Sequence, residues 1–453
     1  MDVAVNLAKN VVNVRYEDLP PEAIEVTKRD ILDVIGSGLA GTSAEGSKEL
    51  FEMITHWGGI EESTILLFGN KVPTLNAAMV NAAMARALEL DSYHDTTAHG
   101  SVSVFPAAYA LAEKKGNVSG KALITAVALG VDVMIRLGLA PHSWLGWSRA
   151  ALHGYFGAAA AAGKILNLDE GKMVNTLGLA YSLAAGDNQS SVDGALSKRL
   201  SSGFAAKGGV FAALLAQSGI TGAENCLEGK FGLYPMFERG EYDRERIIAD
   251  LGRKFMVTTT CFKPYPSCGL THGAIDAALS AVREYDIAAD DVEEVSITVG
   301  TMAYGVVCDP IDIKQKPESP VNAQFSAPYT VAAAIVGRKL NLDDFTDEAI
   351  KRTQILQLTK KVKTTMDSEM DFSAAKVEIK MKSGKEYSKR VDIAKGRPDN
   401  PMTTEEFNSK FWDCVGHAVK PLPRVNIEKV IELVNGLEDV NDVSSIMKLL
   451  VAT

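Results

Sequence analysis

Between Glu89 and Pro106 the sequence crowds Asp91, Tyr93, His94, Asp95, Thr96, Thr97 and His99 into one short run ahead of Gly100 and Ser101. A histidine titrating near pH 6.5 can take up or release a proton at neutral pH, and Asp91, eight residues before His99, can orient its ring. Two carboxylates, two imidazoles, a phenol and several hydroxyls are costly to bury without partners. The run is therefore either a solvated loop or a polar pocket, and its apolar flanks favour the pocket.

Three further stretches carry groups suited to the same chemistry. Ser197-Lys198-Arg199-Leu200 sets two cations ahead of an apolar helix, where free N–H groups assist carboxylate binding, although such pairs are commonly just solvated. Cys261-Phe-Lys263-Pro-Tyr265-Pro-Ser267-Cys268-Gly-Leu-Thr271-His272 is stiffened by two prolines and leads into a helix. It can hold an anion or activate a thiol, or it can be a linker with a buried cysteine. Phe325-Ser-Ala-Pro-Tyr329 enters another apolar helix, where the phenol is a helix anchor or a proton donor.

These stretches need elements to position them. Pro20 and Pro21 open an amphipathic helix, Lys48 to Trp57 forms a second, and Ser63 to Phe68 reads as a short strand. Thr74 to Leu90 is a helix of small apolar residues that delivers the polar run, and Pro106 opens an Ala-rich segment ending at Glu113. Helical patterns follow over Leu123 to Leu139, Gly154 to Leu166, Glu170 to Ala185 and Ser202 to Ser218, with Ala and Gly on faces that can approach closely. The apolar run Ala122 to Leu139 is expected to be core rather than a membrane span. The period changes afterwards. Val292 to Val299 alternates as a strand, and Val377 to Met381 and Tyr387 to Ile393 form a hairpin turning at Ser383-Gly384. Between them lie helical runs over His272 to Glu284, Ala327 to Val336 and Thr346 to Val362, and further helices follow Thr403. The expected fold is mainly α: an all-helical domain of residues 1–264 and 396–453, with an inserted α+β domain of residues 265–395.

The 453 residues carry a net charge of −10 and 46% hydrophobic residues, which suits a globular chain with a large core and disfavours nucleic acid as a partner. Five scattered cysteines fit neither a zinc spacing nor a disulfide framework, and the first residues lack the pattern of a signal peptide. Nucleotide-binding glycine turns, a phosphate-binding Gly-Lys-Ser/Thr loop and a Gly-x-Ser-x-Gly elbow are missing. The expectation is a cytoplasmic enzyme without cofactor or metal that moves protons on a small carboxylate, with no nucleic-acid or membrane partner. A non-catalytic anion-binding protein is the alternative from another class.

The ordered set of motifs resembles the MmgE/PrpD family, which includes 2-methylcitrate dehydratase, cis-aconitate decarboxylase and iminodisuccinate epimerase. It comprises Leu90-Asp-Ser-Tyr-His94, His99 before Val-Phe-Pro, Gly154-Tyr-Phe-Gly through Lys164, Ala205-Ala-Lys207-Gly, Phe262-Lys-Pro-Tyr-Pro-Ser267 with His272, Phe325 to Tyr329 and Gly396-Arg-Pro-Asp-Asn-Pro401. The resemblance implies a homodimer with its active site between the two domains. It matches Asp91 and His99 to the family's acid–histidine pair, Lys198 and Lys263 to its two lysines, and Tyr329 to the tyrosine of the inserted domain. His99 is then the leading base and Tyr329 the proton donor, the lysines clamp carboxylates, and Cys268 or His272 serves the opposite face. Tyr93, Ser148, His153, Arg199, Ser267 and His272 are the expected substrate contacts. Cys268 stands where the decarboxylase branch has histidine, and the upstream histidine of that branch falls near Ser148, with His153 five residues on. Gly100-Ser-Val-Ser also replaces the continuation associated with methylcitrate dehydratases. Dehydration of a small di- or tricarboxylate is the first expectation, epimerisation the second and decarboxylation the third.

Overall fold

The computed structural model describes residues 1–95 and 99–452, which form two compact units: Met1–Cys261 with Cys414–Thr453, and Phe262–Asp413. The fold class is mainly α with a smaller α+β part. Thr96, Thr97 and Ala98 of the polar run lie outside the described residues.

The part of the first unit before the inserted one carries, among the described residues, the longer helices α1 (Val3–Asn13), α2 (Pro21–Gly41), α3 (Ser47–Trp57), α4 (Thr74–Arg86), α5 (Ser101–Lys115), α6 (Gly120–Leu139), α7 (Arg149–Ile165), α8 (Glu170–Leu183) and α9 (Ser197–Gln217). Their ends follow local chemistry. Pro21 starts α2 with Glu22 in its first turn, while Ser119 and Asp169 cap α6 and α8 by accepting from the N–H groups of Ala122 and Lys172. The small residues explain the packing. A methyl group at Gly209 of α9 would lie 2.5 Å from the Ala158 Cβ of α7, and one at Gly130 of α6 would lie 2.7 Å from the Gly157 carbonyl oxygen. These three helices thus meet nearly backbone to backbone. By length and composition α6 could cross a membrane, yet it is buried within this unit.

Several expected limits shift. Pro106 does not open a helix but lies inside α5, which begins at Ser101, and α9 begins at Ser197, so Lys198 and Arg199 occupy its first turn. Only Ser63–Thr64 of the expected strand pairs, as β1, with β2 (Lys71–Val72).

In the second unit β3 (Val292–Val299) is central to a four-stranded sheet of order β4-β3-β5-β6. β5 (Ala375–Met381) and β6 (Glu386–Val391) are the expected antiparallel hairpin, with Gly384 at positive φ in the turn. β4 (Val362–Met366) runs parallel to β3 where the sequence pattern predicts the end of a helix. The sheet packs with α10 (His272–Tyr285), α11 (Ala327–Gly337) and α12 (Thr353–Thr359) around Val295, Ile297, Val377 and Ile379. α13 (Thr404–Gly416) carries the chain back to the first unit, where α14 (Arg424–Asn435) and α15 (Ser444–Leu449) follow.

This return is well fastened. Lys28 of α2 donates to the Asn435 carbonyl at 2.8 Å and pairs with Glu438, the Gly120 N–H donates to the Val440 carbonyl, and the Tyr109 hydroxyl donates to that of Val443 at 2.6 Å. A methyl group at Gly120 would fall 1.6 Å from the Leu437 carbonyl oxygen, so this contact admits only glycine. Buried Arg136 plays a similar part inside the unit. It pairs with Asp132 at 2.8 Å and donates to the carbonyls of Ile247, Ala249 and Lys254, while the other Asp132 oxygen accepts from the Met256 N–H.

Candidate active site

Asp91 and His99 of the polar run belong to a buried ionic cluster of the first unit. α4 ends at Arg86, and Glu89 then adopts a left-handed conformation (φ 55°) that turns the chain toward Asp91. The Asp91 carboxylate is completely buried and its Oδ2 lies 2.5 Å from Nδ1 of His99. Nε2 of His99 faces Glu89 Oε2 at 3.5 Å. Arg86 reaches both acids, at 2.6 Å to Glu89 and 3.5 Å to Asp91, and Lys198 arrives from α9 to meet Glu89 at 2.6 Å.

The cluster therefore alternates in sign: two cations, two carboxylates and an imidazole with an acid at each ring nitrogen. Such a ring can hold a proton on Nε2 and deliver it, with Asp91 fixing its orientation. A charge this deeply buried is tolerated only because each member has oppositely charged neighbours.

A second layer of acids stands behind it. Asp30 and Asp33, one turn apart on α2, are buried and meet Ser92, the residue after Asp91. The Ser92 hydroxyl donates to Asp30 Oδ1 at 2.6 Å and its N–H to Asp33 Oδ2 at 2.9 Å, and the Ser101 hydroxyl donates to the other Asp30 oxygen. Burial, together with the nearby Asp33 and Asp91 charges, pushes the Asp30 carboxyl up to about 7 against the lowering effect of its two serine donors.

The other expected residues of this unit are placed as follows. Tyr93 is buried and its backbone forms an antiparallel bridge with Cys261 through two hydrogen bonds of 2.8 and 2.9 Å. Arg199 donates to the Glu45 carbonyl beyond α2, so the Lys198–Arg199 pair spreads over two partners. Ser148 is the residue before α7. His153, on α7, is completely enclosed, and neither ring nitrogen has a hydrogen-bond partner among the described residues. Burial, reinforced by the Arg149 charge, lowers its pKa to about 3, so it is a neutral imidazole.

That shift has a measurable consequence. Between pH 6.5 and 3 the unfolded chain binds a proton at His153 that the folded chain refuses, so this residue removes stability as pH falls through that window. Replacing His153 by Gln abolishes the term. In urea unfolding, wild type should lose about 2 kcal/mol relative to the variant between pH 7.5 and pH 5. Parallel stability curves would disprove the assignment.

In the second unit the proline-stiffened segment holds Lys263, fully buried, ahead of α10. The Tyr265 hydroxyl donates to Asp276 at 2.7 Å, Ser267 and Thr271 share a hydrogen bond of 2.9 Å, and the Cys268 N–H donates to the Gln324 carbonyl. His272, the first residue of α10, is held neutral by burial and by the Lys263 charge, with a pKa of about 3. It can exchange hydrogen bonds but not serve as a resident cation.

Tyr329 is completely buried, and its hydroxyl donates to the Asp344 carbonyl at 2.5 Å. Burial pushes its pKa further up. In this arrangement the phenol proton is engaged by a backbone acceptor within the second unit. Among the described residues no group of three or more His, Cys, Asp or Glu side chains is placed to hold a metal ion.

Sequence reasoning missed Arg86, Glu89, Asp30 and Asp33. A signal existed in each pair: Arg86 and Glu89, like Asp30 and Asp33, are charged residues three apart in otherwise apolar helical patterns, where solvated charges are out of place.

Comparison with known proteins finds relatives along nearly the whole chain. The chain is 28% identical to cis-aconitate decarboxylase of Aspergillus terreus over 97% of its own length and 94% of that protein. It is 27% identical to the cis-aconitate decarboxylases of Mus musculus and Homo sapiens, in each case over 99% of this chain and over 93% and 94% of theirs. The MmgE/PrpD N-terminal domain pattern matches residues 5–245 and the MmgE/PrpD C-terminal domain pattern residues 265–435, so the chain belongs to the MmgE/PrpD family and is a lyase-type enzyme.

Proposed function

We propose that this enzyme decarboxylates a small unsaturated tricarboxylate of the cis-aconitate type, using His99 as proton donor. The observation that carries the reading is the His99 ring held between Asp91 and Glu89, 2.5 and 3.5 Å from its two nitrogens. Carboxylates on both sides equip the ring to bear the proton that such a reaction consumes. The relatives named as cis-aconitate decarboxylases support the same choice, and for that reason it displaces dehydration as the leading reading.

The chemistry makes a specific demand. The bond to the departing carboxylate breaks and its electron pair becomes a new C=C bond, while the displaced π pair takes a proton from His99 Nε2. Negative charge develops next to a retained carboxylate, and Lys198 and Arg86 supply the cations to stabilise it. Solvent then restores the proton on His99. Lys263 remains a proposed carboxylate-binding cation, and Cys268 is where this chain differs from the decarboxylase pattern.

Dehydration of a hydroxy acid is the second reading, because the same proton could instead be given to a departing hydroxide. Proton NMR in D2O, with CO2 capture, separates the readings on a panel of cis-aconitate, 2-methylcitrate and iminodisuccinate. Decarboxylation releases one CO2 and places one deuterium on the product. A new alkene from a hydroxy acid without CO2 would establish dehydration instead, and exchange without net conversion would establish epimerisation.

A further inference from the structure

We propose that Asp30 is a positioning residue that fastens both ends of the segment bearing Asp91 and His99. One oxygen of Asp30 accepts from the Ser92 hydroxyl, next to Asp91, and the other from the Ser101 hydroxyl, two residues past His99. One carboxylate on α2 thereby fixes where the segment leaves Asp91 and where it re-enters α5. The Asp33 side chain adds a third tie by accepting from the Ser92 N–H.

The arrangement is selective in what it holds. Asp30 makes its two hydroxyl contacts at the segment's ends, while Arg86 and Glu89 meet the reacting pair itself and Lys198 meets Glu89. Its carboxylate is completely buried beside two other acids, an unfavourable place for a third negative charge unless the two serine donors compensate. A neutral apolar residue on α2 would pack there without that burden. The acid makes sense as a two-oxygen clasp, because one carboxylate can accept from two separate hydroxyls at once. Its effect on chemistry passes through the 2.5 Å Asp91–His99 contact, where small displacements matter greatly.

The inference rests on the reading of Asp91 and His99 as the reacting pair. Its test uses the full-length enzyme and the substrate identified from the panel. Asp30→Asn keeps the size but supplies only one acceptor oxygen. We expect kcat to fall about tenfold to a hundredfold with KM within about threefold of wild type. The downfield imidazole N–H resonance of the His99–Asp91 hydrogen bond, assigned in 15N-histidine-labelled protein by its loss in His99→Asn, should move upfield or broaden. A merely structural role lowers the unfolding midpoint and leaves that resonance in place. Ser101→Ala and Ser92→Ala each remove one of the two Asp30 contacts and should give the same changes at smaller size, which keeps the test informative if Asp30→Asn folds poorly.

If His99→Asn is inactive while Asp30→Asn and both serine variants keep wild-type kcat and an unmoved resonance, the inference is overturned and the functional reading stands. If His99→Asn retains activity, the functional reading fails and the inference fails with it.

Discussion

Replacing His99 by Asn should lower kcat by about a thousandfold and leave KM within a few-fold of wild type, as expected on removing a positioned acid–base group. The folded state should scarcely notice. Asparagine retains an N–H donor for Asp91, and Arg86 still stands 3.5 Å from that carboxylate. An unfolding midpoint close to wild type would therefore accompany the loss of turnover, which separates chemistry from stability. Asp91→Asn should cost nearly as much, because the amide no longer fixes the protonated ring in one orientation. Should His99→Asn keep kcat within about threefold, proton transfer belongs to another group.

Arg136→Met should produce the largest loss of stability, about 3–5 kcal/mol in urea unfolding of the first unit. The guanidinium is completely buried, and its removal leaves the Asp132 carboxylate without its cation and the carbonyls of Ile247, Ala249 and Lys254 without a charged donor. Methionine fills the stem's volume, so the cost is electrostatic rather than a cavity. The double variant Arg136→Met with Asp132→Asn tests this directly. It should lose less than the sum of the single changes, because the amide removes the orphaned charge and its carbonyl can still accept from Met256 N–H. Strict additivity would argue for packing instead.

Whereas the two lysines were weak signals that only the family resemblance singled out, the polar run and most helices could be read from residue type and spacing because each breaks or keeps a local period. α6, α8, β3 and the β5–β6 hairpin emerge close to their expected limits for that reason. β4 does not. Val362 to Met366 buries only its first residue, so no apolar alternation announces a strand, and it is defined by parallel pairing with β3, a contact distant in sequence. Pro106 misled locally, since a proline within the early turns of α5 resembles a helix start. At the site, Asp91 and His99 were visible as a pair, whereas Asp30 was not. Its meaning depends on α2 lying beside Ser92 and Ser101, a relation no local pattern encodes. Nor could the sequence show that the Tyr329 hydroxyl meets the Asp344 carbonyl, a contact fifteen residues away.

The return of the last segment to the first unit also dictates an order of events during synthesis. Lys28, Tyr109 and Gly120 take their partners from residues 435–443, which leave a ribosome only after the whole of the second unit has been made. Until then the start of α6, a helix apolar enough to pass for a membrane span, lacks the backbone that covers Gly120. Every nascent copy thus waits with an unfinished first unit while the inserted one is translated. Pauses in elongation beyond Phe262 lengthen that exposure, and holding chaperones have their clearest opportunity there.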